Sequence, residues 1–274
     1  MSRPARLVLL GSPVAHSLSP TFQNAALASA GLPLRYEAID VAPSALGAVL
    51  GELAREGAAG NVTVPHKEAA FEHCSTRTEV ADRVGAVNTF WTEDGALHGD
   101  NTDVAGFQRA VRALVGGPMP SRIAMIGAGG AAAAVCAAAE QGSASEVRIA
   151  ARTMARAEAL AARFPRVVGV YPAVDAALED AALVVNATPL GLRADDAFPV
   201  AIERLPADVP VLDLVYGPDE TQWVVAARAA GHPAADGLRM LVEQGALSFE
   251  RWFGFAPDRE AMARAIASCT GRRL

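Results

Sequence analysis

The sequence predicts an α/β protein, and three observations support this fold class. Hydrophobic residues make up 51% of the 274 residues and aromatic residues only 5%, and the resulting Val- and Ala-rich runs suit α/β layers better than an aromatic β-sandwich. Segments typical of strands alternate with segments typical of helices, joined by Gly or polar loops, which predicts a parallel, doubly wound sheet. The length suits two domains better than one.

The composition disfavours several classes of protein. A net charge of −6 and a pI near 5.4 argue against general binding to nucleic acid or to an anionic membrane. No apolar run approaches the roughly 20 residues of a membrane span, and the first residues lack the apolar segment of a signal peptide. The three separated cysteines, Cys74, Cys136 and Cys269, are each predicted to be a small buried hydrophobic residue in a reducing cytoplasm. The five histidines lack metal-binding spacing, so no metal is expected.

The first hundred residues combine strand–helix units with a hairpin. A turn at Glu93-Asp94-Gly95 joins the two hairpin strands, and Asn101-Thr102-Asp103 opens the next helix. Two of these residues could have a purely structural role. Asn88 could be only a turn residue, and Asp103 could be only an acid at a helix N-terminus, which the helix dipole favours. The predicted elements are strands at 6–10, 34–39 and 60–64, helices from 19 toward 31, at 43–55, from 67 and at 104–115, and hairpin strands at 85–91 and 96–100.

Two serine hydroxyls lie where the first helix is predicted to begin. Ser19 followed by Pro20 is typical of an N-cap with proline at the first helical position. A helix N-terminus that follows a strand is also a natural place to hold a carboxylate or phosphate. Capping accounts for Ser19 but leaves Ser17 unexplained. Capping and anion binding therefore remain equal alternatives on this stretch alone.

Lys67 is the only lysine among 24 basic residues, the others being arginines. Arginine cannot release its proton near neutral pH, whereas lysine can once burial lowers its pKa. Composition alone slightly favours a solvated surface lysine. The neighbouring residues favour a catalytic role for Lys67. Polar and β-branched residues alternate over 61–64, as in a short strand, and Pro65 ends that strand just before Lys67. Loops from strand to helix are where α/β proteins place reactive groups.

A Gly- and Pro-rich linker at 116–120 separates two parts of the chain with different sequence patterns. After it, a strand at 122–126 leads into Gly127-Ala128-Gly129-Gly130-Ala131-Ala132, a G-x-G-x-x-A turn that opens an Ala-rich helix. A turn of this kind in a βαβ unit of about 30 residues binds the pyrophosphate of a dinucleotide. A glycine-rich turn needed only for packing is the alternative. Later elements are strands at 146–151, 183–186, 209–215 and before Asp236, and helices at 221–230, 238–252 and 258–267.

Seven motifs follow one another along the chain. They are GSPVAHSLSP at 11–20, NVTVPHK at 61–67, GAVNT at 85–89, DNTD at 100–103, GAGGAA at 127–132, NATPLG at 186–191 and MLVEQGA at 240–246. Together and in this order they resemble the shikimate dehydrogenase family, over residues 9–254. The resemblance implies NADPH-dependent reduction of 3-dehydroshikimate to shikimate, in aromatic amino acid biosynthesis. It also implies a substrate-binding domain at 1–103 and 238–274 and a Rossmann-type, doubly wound NADP domain at 104–237.

The resemblance also implies a role for each residue that matches a family motif. Lys67 and Asp103 match the catalytic pair, and Ser17 and Ser19 match carboxylate-binding serines. The substrate contacts implied are Thr63, Asn88, Tyr216 and Gln244. The cofactor contacts implied are Gly127, Ala128, Gly129, Gly130, Ala131, Arg152, Thr153, Arg156, Leu214 and Gly237, with Glu79 at an acidic position near the cofactor. One departure is Ala151, where members often have asparagine, which puts one polar contact on the adenosine side in doubt.

The residues after the second strand of the dinucleotide unit predict NADP(H) as the cofactor. An NAD-binding unit carries an acid about 20 residues beyond the glycines, where it accepts from the ribose 2′-hydroxyl. Here the strand at 146–151 ends without an acid and is followed by Arg152, Thr153 and Arg156. Arginine pairs with phosphate through paired donors. Solvated arginines at a helix start are the alternative, although helix starts favour acids over cations.

Two other functions stay open. An NAD-dependent quinate or quinate/shikimate dehydrogenase would accept a substrate with an extra hydroxyl near the carboxylate; the Ser17 and Ser19 pair resembles a shikimate-selective site more closely. A catalytically silent NADPH-binding regulator on the same fold would not need Lys67 and Asp103. The partners expected are a small-molecule substrate, with neither nucleic acid nor membrane, and the chain is expected to be a monomer or a homodimer.

Overall fold

The computed structural model describes residues 3–142, 144–193 and 195–273. The chain divides into two compact units, one formed by Met1–Asp103 with Leu241–Leu274 and the other by Val104–Met240. Each unit contains a six-stranded sheet, so the predicted α/β class is confirmed. Within the described ranges, every helix is too short or too polar to cross a membrane.

Strands and helices alternate along most of the chain. The first elements are β1 (Leu7–Gly11), α1 (Ser19–Ser29), β2 (Tyr36–Asp40), α2 (Leu46–Arg55), β3 (Ala59–Val62), α3 (Lys67–His73), β4 (Thr76–Arg77), α4 (Glu79–Val84), β5 (Thr89–Glu93), β6 (Ala96–Asp100) and α5 (Asp103–Val115). There follow β7 (Arg122–Ile126), α6 (Ala132–Gln141), β8 (Glu146–Ala150), α7 (Met154–Arg163), β9 (Val168–Val170), α8 (Val174–Leu178), β10 (Leu183–Asn186), β11 (Val211–Asp213), α9 (Gln222–Ala229), β12 (Ala234–Ala235), α10 (Leu238–Phe253) and α11 (Arg259–Thr270).

The first unit has a mixed sheet with strand order β2-β1-β3-β5-β6-β4. β1 pairs in parallel with β2 and β3, whereas β5 pairs antiparallel with β3 and β6. The predicted hairpin is confirmed, although its first strand covers Thr89–Glu93 instead of residues 85–91. Its turn places Asp94 and Gly95 at φ 52° and 75°. Two residues with positive φ are what a tight hairpin turn of matching twist requires. Because β1 and β3 are parallel neighbours, the loops that follow them leave the same edge of the sheet.

Helices cover the first unit's sheet through regularly spaced apolar residues. On α2, Leu46, Leu50 and Leu53 are each no more than 2% exposed, and burying each leucine stabilises the fold by about 1.5–3 kcal/mol. The C-terminal helices pack against α1 in the same unit. At Gly245 of α10, an added Cβ would lie 2.4 Å from the Phe22 ring, so only glycine permits this close approach.

The second unit has a fully parallel sheet with strand order β12-β11-β10-β7-β8-β9. The chain starts in the centre at β7 and winds outward to both edges, which confirms the predicted doubly wound topology. Ile126 pairs with Ala150 on one side and with Asn186 on the other, and Asn186 pairs with Asp213. The carboxyl ends of these central strands therefore meet at one edge, where such folds bind ligands.

Several element boundaries differ from the prediction. β2 runs over Tyr36–Asp40, and β3 ends at Val62 instead of residue 64, because its pairing with β1 ends at Leu10 and Val64 is exposed. β11 ends at Asp213 instead of residue 215, because the Asp213 carboxylate accepts the Val215 N–H and turns the chain. Four short elements, β4, β9, α4 and α8, were not predicted, since two to six residues are too few for a hydrophobic period to be read.

Candidate active site and cofactor pocket

Lys67 and Asp103 form an ion pair in the first unit. Lys67 is the first residue of α3 and Asp103 the first of α5. The Lys67 Nζ lies 2.6 Å from the Asp103 Oδ2, and the two side chains are 18% and 8% exposed. Partial burial strengthens the attraction between the charges. The pair therefore offers an oriented ammonium group at a site that solvent can still reach in part.

Asn88 holds the Asp103 carboxylate from the other side. It lies just before β5 and is 2% exposed. Its Nδ2 lies 2.9 Å from the Asp103 Oδ1 and 3.1 Å from the Gln244 Oε1, while its Oδ1 accepts the Thr102 N–H at 2.8 Å. An amide with both ends bonded has a fixed orientation. The structure thus brings Lys67, Asp103, Asn88 and Gln244 into one hydrogen-bonded cluster.

Further buried polar residues extend this cluster, and none of them was among the predicted site residues. The Thr102 and Ser248 hydroxyls lie 3.2 Å apart, Asn61 Nδ2 donates to Ser248 Oγ at 2.8 Å, and the Tyr36 hydroxyl donates to Asn61 Oδ1 at 2.8 Å. Asn61 and Thr102 lie inside two of the seven motifs, which is the signal that could have found them. Ser248 lies outside the motifs.

The N-terminus of α1 differs from the predicted capping arrangement. The Ser17 Oγ accepts the Ser19 N–H at 3.2 Å, whereas the N-cap position is Leu18 and carries no side-chain capping bond. The prediction that Ser19 caps the helix is therefore wrong. Leu18 already has helical backbone angles, so Ser19 lies inside the first turn. Because the Ser17 oxygen accepts that bond, its own O–H remains available as a donor.

The loop 12–18 between β1 and α1, called the serine loop below, lies close to the loop 63–66 that precedes Lys67. The Ser12 N–H donates to the Val64 carbonyl at 3.1 Å. Thr63, between β3 and α3, is half-buried, and a Cβ added at Gly11 would lie 2.4 Å from its Cγ2. These contacts follow from the parallel pairing of β1 and β3. Thr63 and the serine loop are thereby held at the same sheet edge as Lys67.

A pocket in the second unit lies at the carboxyl ends of β7, β8 and β10. It is lined by Gly127, Ala128, Gly129, Ala151, Arg152, Thr153, Arg156, Ala187, Thr188, Pro189 and Leu190. Six of the predicted cofactor residues are in this set. The loop 187–190 is not among them, although it belongs to the NATPLG motif, and that motif is the signal that could have identified it.

The glycines of the turn after β7 serve different purposes. Gly127 has φ 100°, and a Cβ on Gly127 or Gly129 would come within 2.9 Å of the Ala187 carbonyl oxygen. At Gly130 a Cβ would meet nothing within 4 Å. α6 begins at Ala132 after Ala131, which offers no side-chain cap. The Ala132 N–H donates to the Gly129 carbonyl at 3.0 Å, and the turn leaves open space at Gly130, which the approach of an anion to a helix start requires.

Arg152 and Arg156 are exposed and line this pocket together with Thr153. Thr153 precedes α7 with extended backbone and caps no N–H with its side chain. Two guanidinium groups at an uncapped helix start give the pocket a positive rim. Ala151 also lines the pocket, so the departure from the asparagine of many members lies within it.

Five predicted residues of the second unit are absent from the lining of the described pocket, namely Gly130, Ala131, Leu214, Tyr216 and Gly237. Leu214 and Tyr216 follow β11, and Gly237 follows β12; a Cβ on Gly237 would lie 2.4 Å from the Leu214 carbonyl oxygen. Glu79 is exposed in the first turn of α4 in the first unit, where the helix dipole favours an acid.

Three family models match consecutive parts of the chain. The shikimate dehydrogenase substrate binding domain matches residues 9–90, the shikimate/quinate 5-dehydrogenase model matches residues 112–190, and the shikimate 5′-dehydrogenase C-terminal domain matches residues 237–267. The first and third lie mainly in the first unit, and the second lies in the second unit.

Relatives cover nearly the whole chain. Shikimate dehydrogenase (NADP⁺) of Mesorhizobium japonicum is 43% identical over 93% of this chain and 93% of its own. The structure of shikimate 5-dehydrogenase from Thermus thermophilus in complex with NADP(H) and shikimate is 41% identical, with a TM-score of 0.88 over 96% of this chain and 99% of its own. Quinate dehydrogenase from Corynebacterium glutamicum in complex with NAD is 29% identical, with a TM-score of 0.89 over 97% of this chain and 100% of its own. With this identity and coverage, the chain belongs to the shikimate dehydrogenase family.

Proposed function

We propose that this protein catalyses the reversible, NADPH-dependent reduction of 3-dehydroshikimate to shikimate. The observation that carries the proposal is the Lys67–Asp103 pair, 2.6 Å between Nζ and Oδ2, in a member of the shikimate dehydrogenase family. The first unit would bind the substrate and the second unit the cofactor. An NADP-dependent oxidoreductase also accounts for the arginines at the pocket of the second unit.

The residues of that pocket fit NADP(H). Open space at Gly130 and the uncapped start of α6 suit the pyrophosphate. Arg152 and Arg156 suit the 2′-phosphate, since a guanidinium donates to phosphate through paired N–H groups. The bound cofactor supplies the hydride for the substrate ketone. The roles of Ala128, Ala131, Thr153, Leu214, Gly237 and Glu79 in holding it remain predictions.

Lys67 is the proposed proton donor. Its ammonium group protonates the oxygen of the ketone as the hydride arrives at the carbon, so that the product is the alcohol. In the oxidation of shikimate, neutral Lys67 takes that proton back. Asp103 holds the ammonium group and Asn88 holds Asp103, so the donor keeps one orientation. A positioned acid–base group of this kind contributes about 10² to 10⁴ in rate.

The substrate would be held by polar groups around this pair. Ser17 and Ser19 are the proposed partners of its carboxylate, with Ser17 offering a free O–H. Thr63 and Gln244 are proposed contacts to its hydroxyls, and the substrate contact implied for Tyr216 remains a prediction. Asn88 is 2% exposed and bonded at both ends, which supports a role in holding Asp103 in addition to the predicted substrate contact.

Replacing Ser17 by alanine tests carboxylate binding. We expect KM for shikimate to rise more than kcat falls, because a hydrogen bond to a charged group contributes roughly 1.5 to 3 kcal/mol. Steady-state kinetics measures both values. Ser29→Ala, at the other end of α1, is the matched control and should leave KM unchanged. An unchanged KM in Ser17→Ala together with lower thermal stability would show that Ser17 only orders the helix start.

A substrate panel tests the choice of shikimate over quinate. Shikimate and quinate are each assayed with NADP⁺ and with NAD⁺, and kcat/KM is compared. We expect shikimate with NADP⁺ to be preferred, because the second serine leaves the carboxylate site suited to a substrate without the extra hydroxyl. Turnover of quinate within about tenfold of shikimate, a difference of about 1.4 kcal/mol, would contradict the assignment. Cofactor binding without any turnover would identify a silent regulator.

We also propose that the protein acts in the cytoplasm, as a monomer or a homodimer. All three cysteines are free, which suits a reducing compartment. Cys74 and Cys136 are buried as predicted, whereas Cys269 is exposed, so its predicted burial is wrong. Within the described residues no group of three or more His, Cys, Asp or Glu side chains is placed to hold a metal ion. The proposed mechanism uses none.

A further inference from the structure

Asp213 is a buried carboxylate to which the mechanism above assigns no role. It ends β11 and is 0% exposed. It accepts three hydrogen bonds, from Asn186 Nδ2 at 2.8 Å, from the Val215 N–H at 3.0 Å and from the Thr221 hydroxyl at 2.8 Å. All three donors are uncharged. A buried carboxylate without hydrogen bonds would be strongly destabilising, so these donors make the ionised form possible.

Asn186 connects the Asp213 carboxylate to the cofactor pocket through hydrogen bonds. Its Nδ2 also donates to the Leu190 carbonyl at 2.9 Å, and its Oδ1 accepts the Thr188 N–H at 2.9 Å and the Thr188 hydroxyl at 2.6 Å. An ionised carboxylate is an acceptor only, so Asp213 decides which end of the Asn186 amide faces it. The opposite end then faces Thr188, and both Thr188 and Leu190 line the pocket.

Asp213 also holds the loop that follows β11. The Val215 N–H bonds to its carboxylate, and the Val215 carbonyl accepts the Gly237 N–H at 3.0 Å. The Thr221 hydroxyl that donates to Asp213 in turn accepts the Val224 N–H at 3.4 Å, at the start of α9. One carboxylate therefore joins the ends of two neighbouring strands and the helix after them.

We propose that the Asp213 carboxylate is a positioning residue for cofactor binding, which orders the loop 187–191 at the NADP(H) pocket and the neighbouring loop 214–217. This inference rests on the proposed cofactor pocket. Asp213 acts through Asn186 and Val215 and need not touch the cofactor itself. Removing its acceptor capacity should loosen both loops and weaken cofactor binding, while the Lys67–Asp103 site of the first unit is left intact.

The ionisation of Asp213 should be visible in the pH dependence of binding. Burial, and to a smaller extent the negative charge of Asp236, raises the pKa of Asp213 to about 6, although the three donors oppose both effects. Protonation of Oδ2 places a hydrogen atom against the Thr221 hydroxyl, which must then accept instead of donate, so the present set of hydrogen bonds is disturbed. Above pH 6 the carboxylate is ionised and the loops are held; as pH falls through about 6, affinity for NADP⁺ should fall.

Calorimetric titration of the full-length enzyme with NADP⁺ provides the test. Asp213→Asn should raise Kd at pH 8 at least tenfold, while KM for shikimate at saturating NADP⁺ changes less than about twofold. Thr221→Val, which removes one donor, should raise Kd several-fold, whereas Thr221→Ser keeps the hydroxyl and should bind like the wild type. Asp175→Asn removes an exposed acid of the same unit and serves as the matched control. Should Asp213→Asn fail to fold, the two Thr221 variants carry the test.

Titrations at several pH values separate this effect from the cofactor's own chemistry. A phosphate monoester also titrates near pH 6, but that change is common to the wild type and Asp213→Asn. The ratio of their Kd values should therefore be large at pH 8 and shrink toward one at pH 5. A ratio that stays constant with pH, or no change in Kd for Asp213→Asn, would overturn the inference. If Arg152→Ala also binds NADP⁺ like the wild type, the proposed pocket itself is wrong; if only Asp213→Asn has no effect, the pocket stands.

Discussion

Replacing Lys67 by alanine is expected to lower kcat by about three decades while KM for shikimate changes only modestly. The physical reason is that Lys67 moves a proton in the transition state and contributes less to holding the ground state. Binding of the substrate would depend mainly on the serines after β1 and on the polar cluster around Asn88. Steady-state assays in both reaction directions, with shikimate and with 3-dehydroshikimate, measure the effect.

Lys67→Arg separates proton transfer from charge. Arginine preserves the positive charge beside Asp103, yet it cannot release its proton near neutral pH. We expect this variant to be nearly as slow as Lys67→Ala. A Lys67→Arg enzyme with near wild-type kcat would rule out Lys67 as the proton donor and leave it an electrostatic role. Thermal unfolding of both variants shows whether the loss of rate reflects the site or the fold.

Replacing Arg152 by alanine is expected to weaken NADPH binding strongly and to leave NADH binding almost unchanged. The guanidinium of Arg152 lines the pocket from its exposed position at the start of α7. Its proposed partner is the 2′-phosphate, which NADH lacks. In the wild type we expect a preference for NADP(H) of at least tenfold in kcat/KM, or about 1.4 kcal/mol. Binding titrations and kinetics with both cofactors measure the two effects.

Arg166→Ala is the matched control for Arg152. Arg166 belongs to the same unit, its side chain is 81% exposed, and it pairs with Glu140 on the surface. Its removal takes away the same charge without altering the pocket, and an exposed pair contributes only about 0–1 kcal/mol to stability. Equal losses of NADPH and NADH affinity in Arg152→Ala would show that Arg152 does not recognise the 2′-phosphate. Equal effects of Arg152→Ala and Arg166→Ala would attribute the loss to net charge.

The sequence by itself determined the features that depend on neighbouring residues. The βαβ unit with its G-x-G-x-x-A turn is local, because a strand, a turn and a helix N-terminus lie within about 30 residues. The hairpin at Asp94 and Gly95 is also local, since two residues with positive φ decide its turn. Two further features are properties of the linear chain. Lys67 is the single lysine among arginines, which predicted a proton-transfer residue, and no acid follows β8, which predicted NADP(H) as the cofactor.

Only the tertiary structure decided how distant residues share hydrogen bonds. The bond from Asn88 to Asp103 and the bond from Asn186 to Asp213 each join segments that the sheet pairing brings together. Ser19 fits the preferred residue types of an N-cap, yet the helix begins one residue earlier and Ser17 accepts the bond instead. Capping preferences are weak free energies of about 0.5–2 kcal/mol, so they do not by themselves determine the residue at which a helix begins. The ends of two strands also depended on tertiary contacts, because the pairing of β3 with β1 ends at Leu10 and the Asp213 carboxylate turns the chain after β11.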